Sequence, residues 1–235
     1  MPSFSLAGWI YLAAFGLLVP WAAWRTRQQL QDGPNPPRQR HFVAVILQLL
    51  LFLGFSLWVA RLEGIAVPGP FALRWLPLAA TIALLGGGIL LMAPRWRRSV
   101  EARERNVHLF MPRTGGERAL WVGVSAAAAV SEEVTYRGVL FALLGALTGQ
   151  AWLAAALASV IFGVSHAVQG WKSAGIIAGV ALVLHGLVAW SGSLHLAIAA
   201  HFLYDLIAGL AYGRLGHELG YPEHGIPPHE EVITS

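Results

Sequence analysis

Residues 120–147 read LWVGVSAAAAVSEEVTYRGVLFALLGAL. The run exceeds the roughly 20 apolar residues that a helix needs to cross a bilayer, yet it holds Glu132, Glu133 and Arg137 at its centre. A charged side chain at bilayer depth costs about 2.5–3.5 kcal/mol on insertion scales, so a charge inside a span is by default a functional hypothesis. Between Ala119 and Gly213 the only other charged residues are Lys172, in an expected loop, and Asp205. The apolar matrix sets the fold, and its few exceptions carry the chemistry.

The wider composition agrees with a membrane setting. Of 235 residues, 56% are hydrophobic and 12% charged, against about 25% charged in ordinary soluble domains, and the mean hydropathy is +0.59. The expected fold is all-α: a polytopic transmembrane helix bundle of about seven spans, eight also being allowed, with its site in a cavity between helices. A net charge of +4 and a pI near 10.0 would suit a nucleic-acid partner, but the arginines cluster in short segments between apolar runs. The excess of basic residues in cytoplasmic loops explains them, and no nucleic-acid partner is expected. With no cysteine, disulfides, thiolate metal sites and a cysteine nucleophile are excluded. The C-terminal residues 232–235, VITS, are no prenylation box.

Outward from the central run, the expected spans are residues 4–24, 42–60, 71–92, 119–147, 151–166, 174–190 and 194–212. The first has Arg25 and Arg27 behind it and no basic segment ahead, which predicts a span with its N-terminus outside and not a cleaved signal peptide. Gly86-Gly87-Gly88 would loosen the third span or let a neighbour approach closely. Residues 94–118 carry seven arginines and three glutamates, so they are expected in water as a cytoplasmic loop, an amphipathic interfacial helix being the alternative. The chain thus divides into residues 1–117, three N-terminal spans with a basic segment; 118–213, a core; and 214–235, a polar tail expected to be poorly ordered. No internal repeat is visible, which weighs against transporters built from two related halves.

Within the core, Glu133 and Arg137 stand four apart with the acid first, so on a helix they can pair on one face. Glu132 lies about 100° round the helix. This suggests Glu133 clamped and ionised against Arg137, with Glu132 freer to accept and release a proton, although helix tilt could reverse the two. A buried ion pair that only fixes packing is the bland reading. His166 follows Phe162 by four residues and reads either as a packing histidine or as a functional one. His201 and Asp205, four apart on the last span, share a face; the acid orients the imidazole, joins it in holding a metal or water, or glues helices together. His185 and His195 have no partner at useful spacing and read as packing residues. One glutamate pair, one arginine and two histidines from three spans suit the activation of water: a carboxylate takes its proton, and imidazoles donate to a developing oxyanion or ligate a divalent metal. Hydrolysis of a peptide bond in or at the membrane would fit, without being singled out over another hydrolysable bond.

The motifs Glu132-Glu133-x-x-x-Arg137-Gly138, Phe162-x-x-x-His166, and Gly192-Ser193-Leu194 leading to His201-x-x-x-Asp205 resemble, in order and spacing, those of the CPBP family of intramembrane proteases. That family groups type II CAAX prenyl endopeptidases with relatives linked to bacteriocin self-immunity. The likeness covers about residues 118–212. It implies a membrane endopeptidase whose substrate is a protein or peptide in or at the lipid bilayer, and an integral membrane location, in a bacterium the inner (plasma) membrane. It further implies Glu132 as the base that activates water, Glu133 and Arg137 as its supporting pair, His166 as a holder of the water or metal, and His201 with Asp205 at the oxyanion. A divalent metal, zinc, held by Glu132, His166 and His201, is one of the family's two proposed routes, and glutamate alone is the other. The last motif often ends in asparagine; Asp205 can donate a hydrogen bond only when protonated, so it either orients His201 or ligates a metal. The competing readings are a non-catalytic membrane protein whose Glu/Arg/His cluster binds a partner's transmembrane segment, and a proton-coupled transporter.

Overall fold

The computed structural model describes residues 4–67, 69, 71 and 74–227. Residues 228–235 of the expected tail lie outside them. Among the described residues every regular element is helical. An apolar chain in lipid must satisfy its backbone groups internally, and helices do this within one segment. The elements are α1 (Leu6–Ala13), a π-helical turn (Ala14–Leu18), α2 (Val19–Asp32), α3 (Arg38–Leu62), α4 (Trp75–Glu101), α5 (Gly115–Glu132), a π-helix (Glu133–Leu140), α6 (Phe141–Thr148), α7 (Ala151–Ser165), α8 (Trp171–Ser191) and α9 (His195–Glu218). Since α1 and α2, and again α5 and α6, continue through their π-turns, the described residues form seven rods. Among the described residues five helices are long and apolar enough to cross a membrane, and α7 is a shorter apolar helix of 15 residues. At 1.5 Å per residue α7 reaches about 22 Å, short of a hydrocarbon core of about 30 Å.

The first rod is tied at its start. Ser5 caps α1 through Gly8 N at 3.2 Å, and its backbone N–H donates to Glu63 Oε1 at 3.0 Å, past the end of α3. The π-turn at residues 14–18 ends two residues before Pro20, whose ring offers no N–H to the helical ladder. Tyr11, Ser56 and Thr135 then bond in series, 2.8 Å for each hydroxyl pair, and pin α1 and α3 to the π-helix between α5 and α6. Around them Phe15, Val59, Val139, Leu140, Leu143 and Phe162 form the principal core.

Three expectations are corrected. Gly86, Gly87 and Gly88 lie inside continuous α4, and a Cβ on any of them would meet nothing within 4 Å. The helix therefore runs on through the triplet, and among the described residues no neighbour packs closely against it. The basic segment at 94–118 is neither a wholly solvated loop nor an amphipathic interfacial helix: α4 continues through Pro94 to Glu101, Arg103 turns the chain at φ 52°, and a 3-10 turn (Arg105–Phe110) is tucked under the bundle with Val107, His108, Leu109 and Met111 buried. Nor is the start of the tail loose, because α9 runs to Glu218 and Tyr221 packs with Val100, Val107 and Met111. The Tyr221 hydroxyl donates to Glu104 O at 2.9 Å, and Arg113 donates to Tyr221 O at 2.8 Å.

This underside fixes where α5 begins. Thr114 and Glu117 form a reciprocal capping box, which satisfies two of the helix's unpaired N–H groups. Glu117 also accepts from Arg38 Nε at 3.0 Å, and Arg38 reaches His108 Nδ1 at 3.2 Å and Glu223 O at 2.7 Å. Burial pushes the His108 imidazole down to about 4, and the Arg38 cation adds to the shift. Farther along, α9 lies close against α5: Gly209 faces the Trp121 indole, whose Nε1–H donates to Asp205 O at 3.0 Å. Gly213 and Gly216 face Pro112 and Met111 in the same way. Small residues let helices approach where lipid supplies no hydrophobic drive.

Candidate active site

Three rods, α5–α6, α7 and α9, converge where α5 passes into its π-helix. Glu132 is the last residue of α5 and Glu133 the first of the π-helix, a form rare in helices and frequent at functional sites. The wider π turn keeps the Glu133–Arg137 ion pair, at 3.1 Å between Oε1 and Nη1. Glu133 is fully buried, and Arg137 is nearly so, its guanidinium lying 4.3 Å from the centroid of the Phe162 ring. Such a cation over an aromatic face is stabilised by about 0.5–2 kcal/mol. Tyr136 packs edge-on against Phe162 and donates to Ser165 Oγ at 3.1 Å, joining the π-helix to the end of α7.

His166 caps α7, and its Nδ1 lies 2.8 Å from the carbonyl oxygen of Phe162. A carbonyl only accepts, so Nδ1 carries the proton and, in the neutral ring, Nε2 keeps a lone pair. That Nε2 lies 3.7 Å from Glu132 Oε2. On α9, His201 Nδ1 sits 2.8 Å from Glu133 Oε1, while its Nε2 lies 3.7 Å from Glu132 Oε2 and 3.4 Å from Asp205 Oδ2. Glu133, from a different rod, thus holds the imidazole at Nδ1, and Asp205 meets it on the opposite nitrogen. The sequence pairing of His201 with Asp205 gave the contact but not the division of labour.

The two acids have separate surroundings. Glu133 has an arginine and an imidazole against it and no exposure, whereas the Glu132 side chain is 18% exposed and faces two imidazole nitrogens beyond direct hydrogen-bond range. The side chains of His166 and Asp205 are 20% and 30% exposed, so the cluster is open on the Asp205 side. Beside the cluster a groove of about 260 Å³ lies between α5 and α9, lined by Ala126, Ala129, Val130, His195, Ile198, Ala199 and Phe202.

The structure therefore brings Glu132, Glu133, Arg137, His166, His201 and Asp205 together. Imidazole and carboxylate are suitable ligands for zinc, but among the described residues no three such side chains gather at metal-holding geometry. Two histidines read as packing residues have different fates. His195 bonds Ser193 Oγ at 2.5 Å at the start of α9, outside the cluster. His185, on α8, is buried with its ring 5.2 Å from that of Phe141, and the charges of Arg137 and Glu133 both reach it. Nothing in local spacing singles it out, because its neighbours are distant in the chain.

Residues 115–207 match the model of a family described as type II CAAX prenyl endopeptidase Rce1-like. The match runs from the start of α5 into α9 and includes all six clustered residues. No curated protein and no solved structure matched the chain.

Proposed function

With residues 115–207 similar to type II CAAX prenyl endopeptidases, we propose that the protein is an intramembrane endopeptidase that hydrolyses a peptide bond of a membrane-associated protein by water activated at Glu132. The observation that carries the reading is the facing of Glu132 Oε2 by Nε2 of both His166 and His201, each at 3.7 Å. A partly exposed carboxylate between two imidazoles can accept a proton and return it.

In the proposed reaction, a water held between Glu132 and the lone pair of His166 Nε2 gives one proton to Glu132 as its oxygen bonds to the scissile carbonyl carbon. His201 lies among three carboxylates, Glu133, Glu132 and Asp205, at 2.8, 3.7 and 3.4 Å. Charge balance favours a proton on both its nitrogens. Its Nε2–H then donates to the oxyanion, with Nδ1–H anchored on ionised Glu133, and Asp205 holds that proton donor when substrate is absent. Collapse of the intermediate breaks the C–N bond, and the proton taken by Glu132 passes to the leaving amine. Arg137, stacked on Phe162, keeps Glu133 charged. Glu132, His166 and His201 are the residues that would hold a zinc ion, which would supply Lewis-acid activation of the same water.

The test is cleavage of a membrane-inserted reporter by the purified protein in liposomes. Glu132→Gln preserves shape and removes the base, so it abolishes cleavage with an unchanged melting temperature. Cleavage that survives this change removes Glu132 from the role.

A further inference from the structure

A groove of about 440 Å³ lies where α3 and α5 begin, lined by Gln39, Arg40, Val43, Ala44, Leu47 and Leu120. Its volume falls within the roughly 300–1,000 Å³ of small-ligand sites. It is remote from the polar cluster, since Leu120 precedes Glu132 by 12 residues, about 18 Å along the helix. The lining is ordered along α3: Arg40, Val43, Ala44 and Leu47 recur at i, i+3, i+4 and i+7 and share one exposed face. The stripe is about 10 Å long, with a charge at one end and apolar side chains at the other. Small residues leave the gap. Ala44 is short, and Gly116 of α5 presents no side chain, so that a Cβ there would still be 3.8 Å from Gln39 Nε2. Farther in the helices close, because a Cβ at Gly123 would stand only 3.1 Å from Ile46.

The charge at the mouth is unanswered. Arg38 is spent on Glu117, the acid of the first turn of α5, which also accepts from the backbone N–H groups of Arg113 and Thr114. Arg40 is exposed and makes no ion pair among the described residues, and no carboxylate lines the groove. Its depth is set by α3. Exposed Trp58 stands 18 residues beyond Arg40, about 27 Å along the axis, close to a hydrocarbon core of about 30 Å. Tryptophan favours the membrane–water interface. With Trp58 at one surface, Arg40 lies at headgroup level of the other, and the stripe from Val43 to Leu47 runs into the acyl region.

We propose that this groove binds one anionic phospholipid of the surrounding bilayer: Arg40 and the Gln39 amide hold the phosphate, and an acyl chain lies along Val43, Ala44 and Leu47 against Leu120. A guanidinium meets phosphate oxygens as a two-pronged donor, and basic pockets between transmembrane helices suit anionic headgroups. A zwitterionic headgroup brings its own cation to compete with Arg40. A soluble phosphate would leave the apolar stripe uncovered, and an apolar partner helix would leave Arg40 without a counter-ion. The bound lipid bridges α3 and α5 beside the Thr114–Glu117 capping box, so it stabilises the folded chain by mass action. The proposal does not rest on the protease reading.

The test is a titration of the full-length protein, in a neutral detergent, with phosphatidylglycerol or phosphatidylcholine of the same acyl chains, bound lipid being counted by native mass spectrometry. The first phosphatidylglycerol should bind at least about fivefold tighter than the first phosphatidylcholine, and Arg40→Gln should remove about that factor, the effect of one arginine at a membrane surface. Ala44→Phe, which fills the groove and keeps the arginine, should also weaken the first phosphatidylglycerol. Arg118 is exposed at the same end of α5 but does not line the groove, so Arg118→Gln should bind as wild type does. Equal affinity for the two lipids overturns the proposal, as does an Arg40→Gln or Ala44→Phe variant that binds phosphatidylglycerol as tightly as wild type. Equal losses for Arg118→Gln and Arg40→Gln would mean a diffuse surface field and also overturn it. Displacement of the lipid by equimolar glycerol 3-phosphate would assign the site to a soluble phosphate instead, and a dimer dissolved by Ala44→Phe would assign the groove to a second copy of the chain.

Discussion

Replacing Glu133 by Gln separates the two adjacent acids by their thermodynamics. The change removes the negative charge opposite Arg137, which is 3% exposed and has its nearest carboxylate oxygen at 3.1 Å. Breaking a buried pair by removing one partner typically costs about 3–5 kcal/mol, because the surviving charge stays buried and unmatched. For a chain of this length, that corresponds to a fall in melting temperature of roughly 6–20 °C. Removing both charges behaves differently. In the double variant Glu133→Gln/Arg137→Met the Arg137 charge is gone with its partner, the Gln amide oxygen can still accept from His201 Nδ1–H as it can in the single variant, and replacing both members of a buried pair is often close to neutral. The remaining loss is the stacking of Arg137 on Phe162 at 4.3 Å, about 0.5–2 kcal/mol. Thermal melts of the four proteins in one detergent form a double-mutant cycle. The expected outcome is a double variant more stable than Glu133→Gln alone by at least about 1 kcal/mol. Single losses that simply add would show that the pair is not coupled, and the clamp on His201 would go with it. Glu132→Gln should leave the melt unchanged, since Glu132 is 18% exposed and its nearest imidazole nitrogens are 3.7 Å away.

Three further outcomes follow from the packing and the underside. A Cβ at Gly209 would run into the Trp121 indole, so Gly209→Ala should cost about 1–3 kcal/mol by overpacking and displace Asp205, whose carbonyl accepts from Trp121; a melt and kcat both equal to wild type would contradict it. His108 is held at about 4 by burial and by Arg38, against about 6.5 in an unfolded chain. The folded state then binds fewer protons than the unfolded one between these values, so stability is full above about pH 6.5 and is lost as pH falls toward 4. His108→Gln should flatten that part of the melting-temperature profile, and a variant that parallels wild type there would refute the assignment. Exhaustive dialysis against a chelator should leave reporter cleavage within about twofold of the untreated protein, because the proposed chemistry runs through Glu132 and the imidazoles; loss restored by zinc would establish a metal route.

The helices and their order were readable because the apolar runs are long and turn residues punctuate them. Gly149 and Gly192, both in the left-handed conformation, end helices at expected breaks. The convergence of the six polar residues was readable in outline, since a charge in an apolar run needs a reason to be there. Other features were hidden for physical reasons. The π-helix at 133–140 leaves no composition signal; it is fixed by tertiary contacts such as the Tyr11–Ser56–Thr135 series. The underside looked solvated because seven arginines dominate residues 94–118, yet a few buried apolar side chains and the Arg38–Glu117 pair set its structure. His201 appeared to be Asp205's partner because they sit one turn apart, while the stronger bond, to Glu133 at 2.8 Å, joins residues 68 apart. Spacing reports neighbours on one helix and is silent about those on the next.

A single turnover in ¹⁸O-labelled water tests the central chemistry most directly. Excess protein is mixed with reporter, and both the new C-terminal fragment end and the peptide containing Glu132 are read by mass spectrometry. Water activated by Glu132 predicts one ¹⁸O in the product carboxylate and none in Glu132. An unlabelled product with ¹⁸O in the Glu132 side chain would mean that this carboxylate attacks the peptide itself, and would contradict the account.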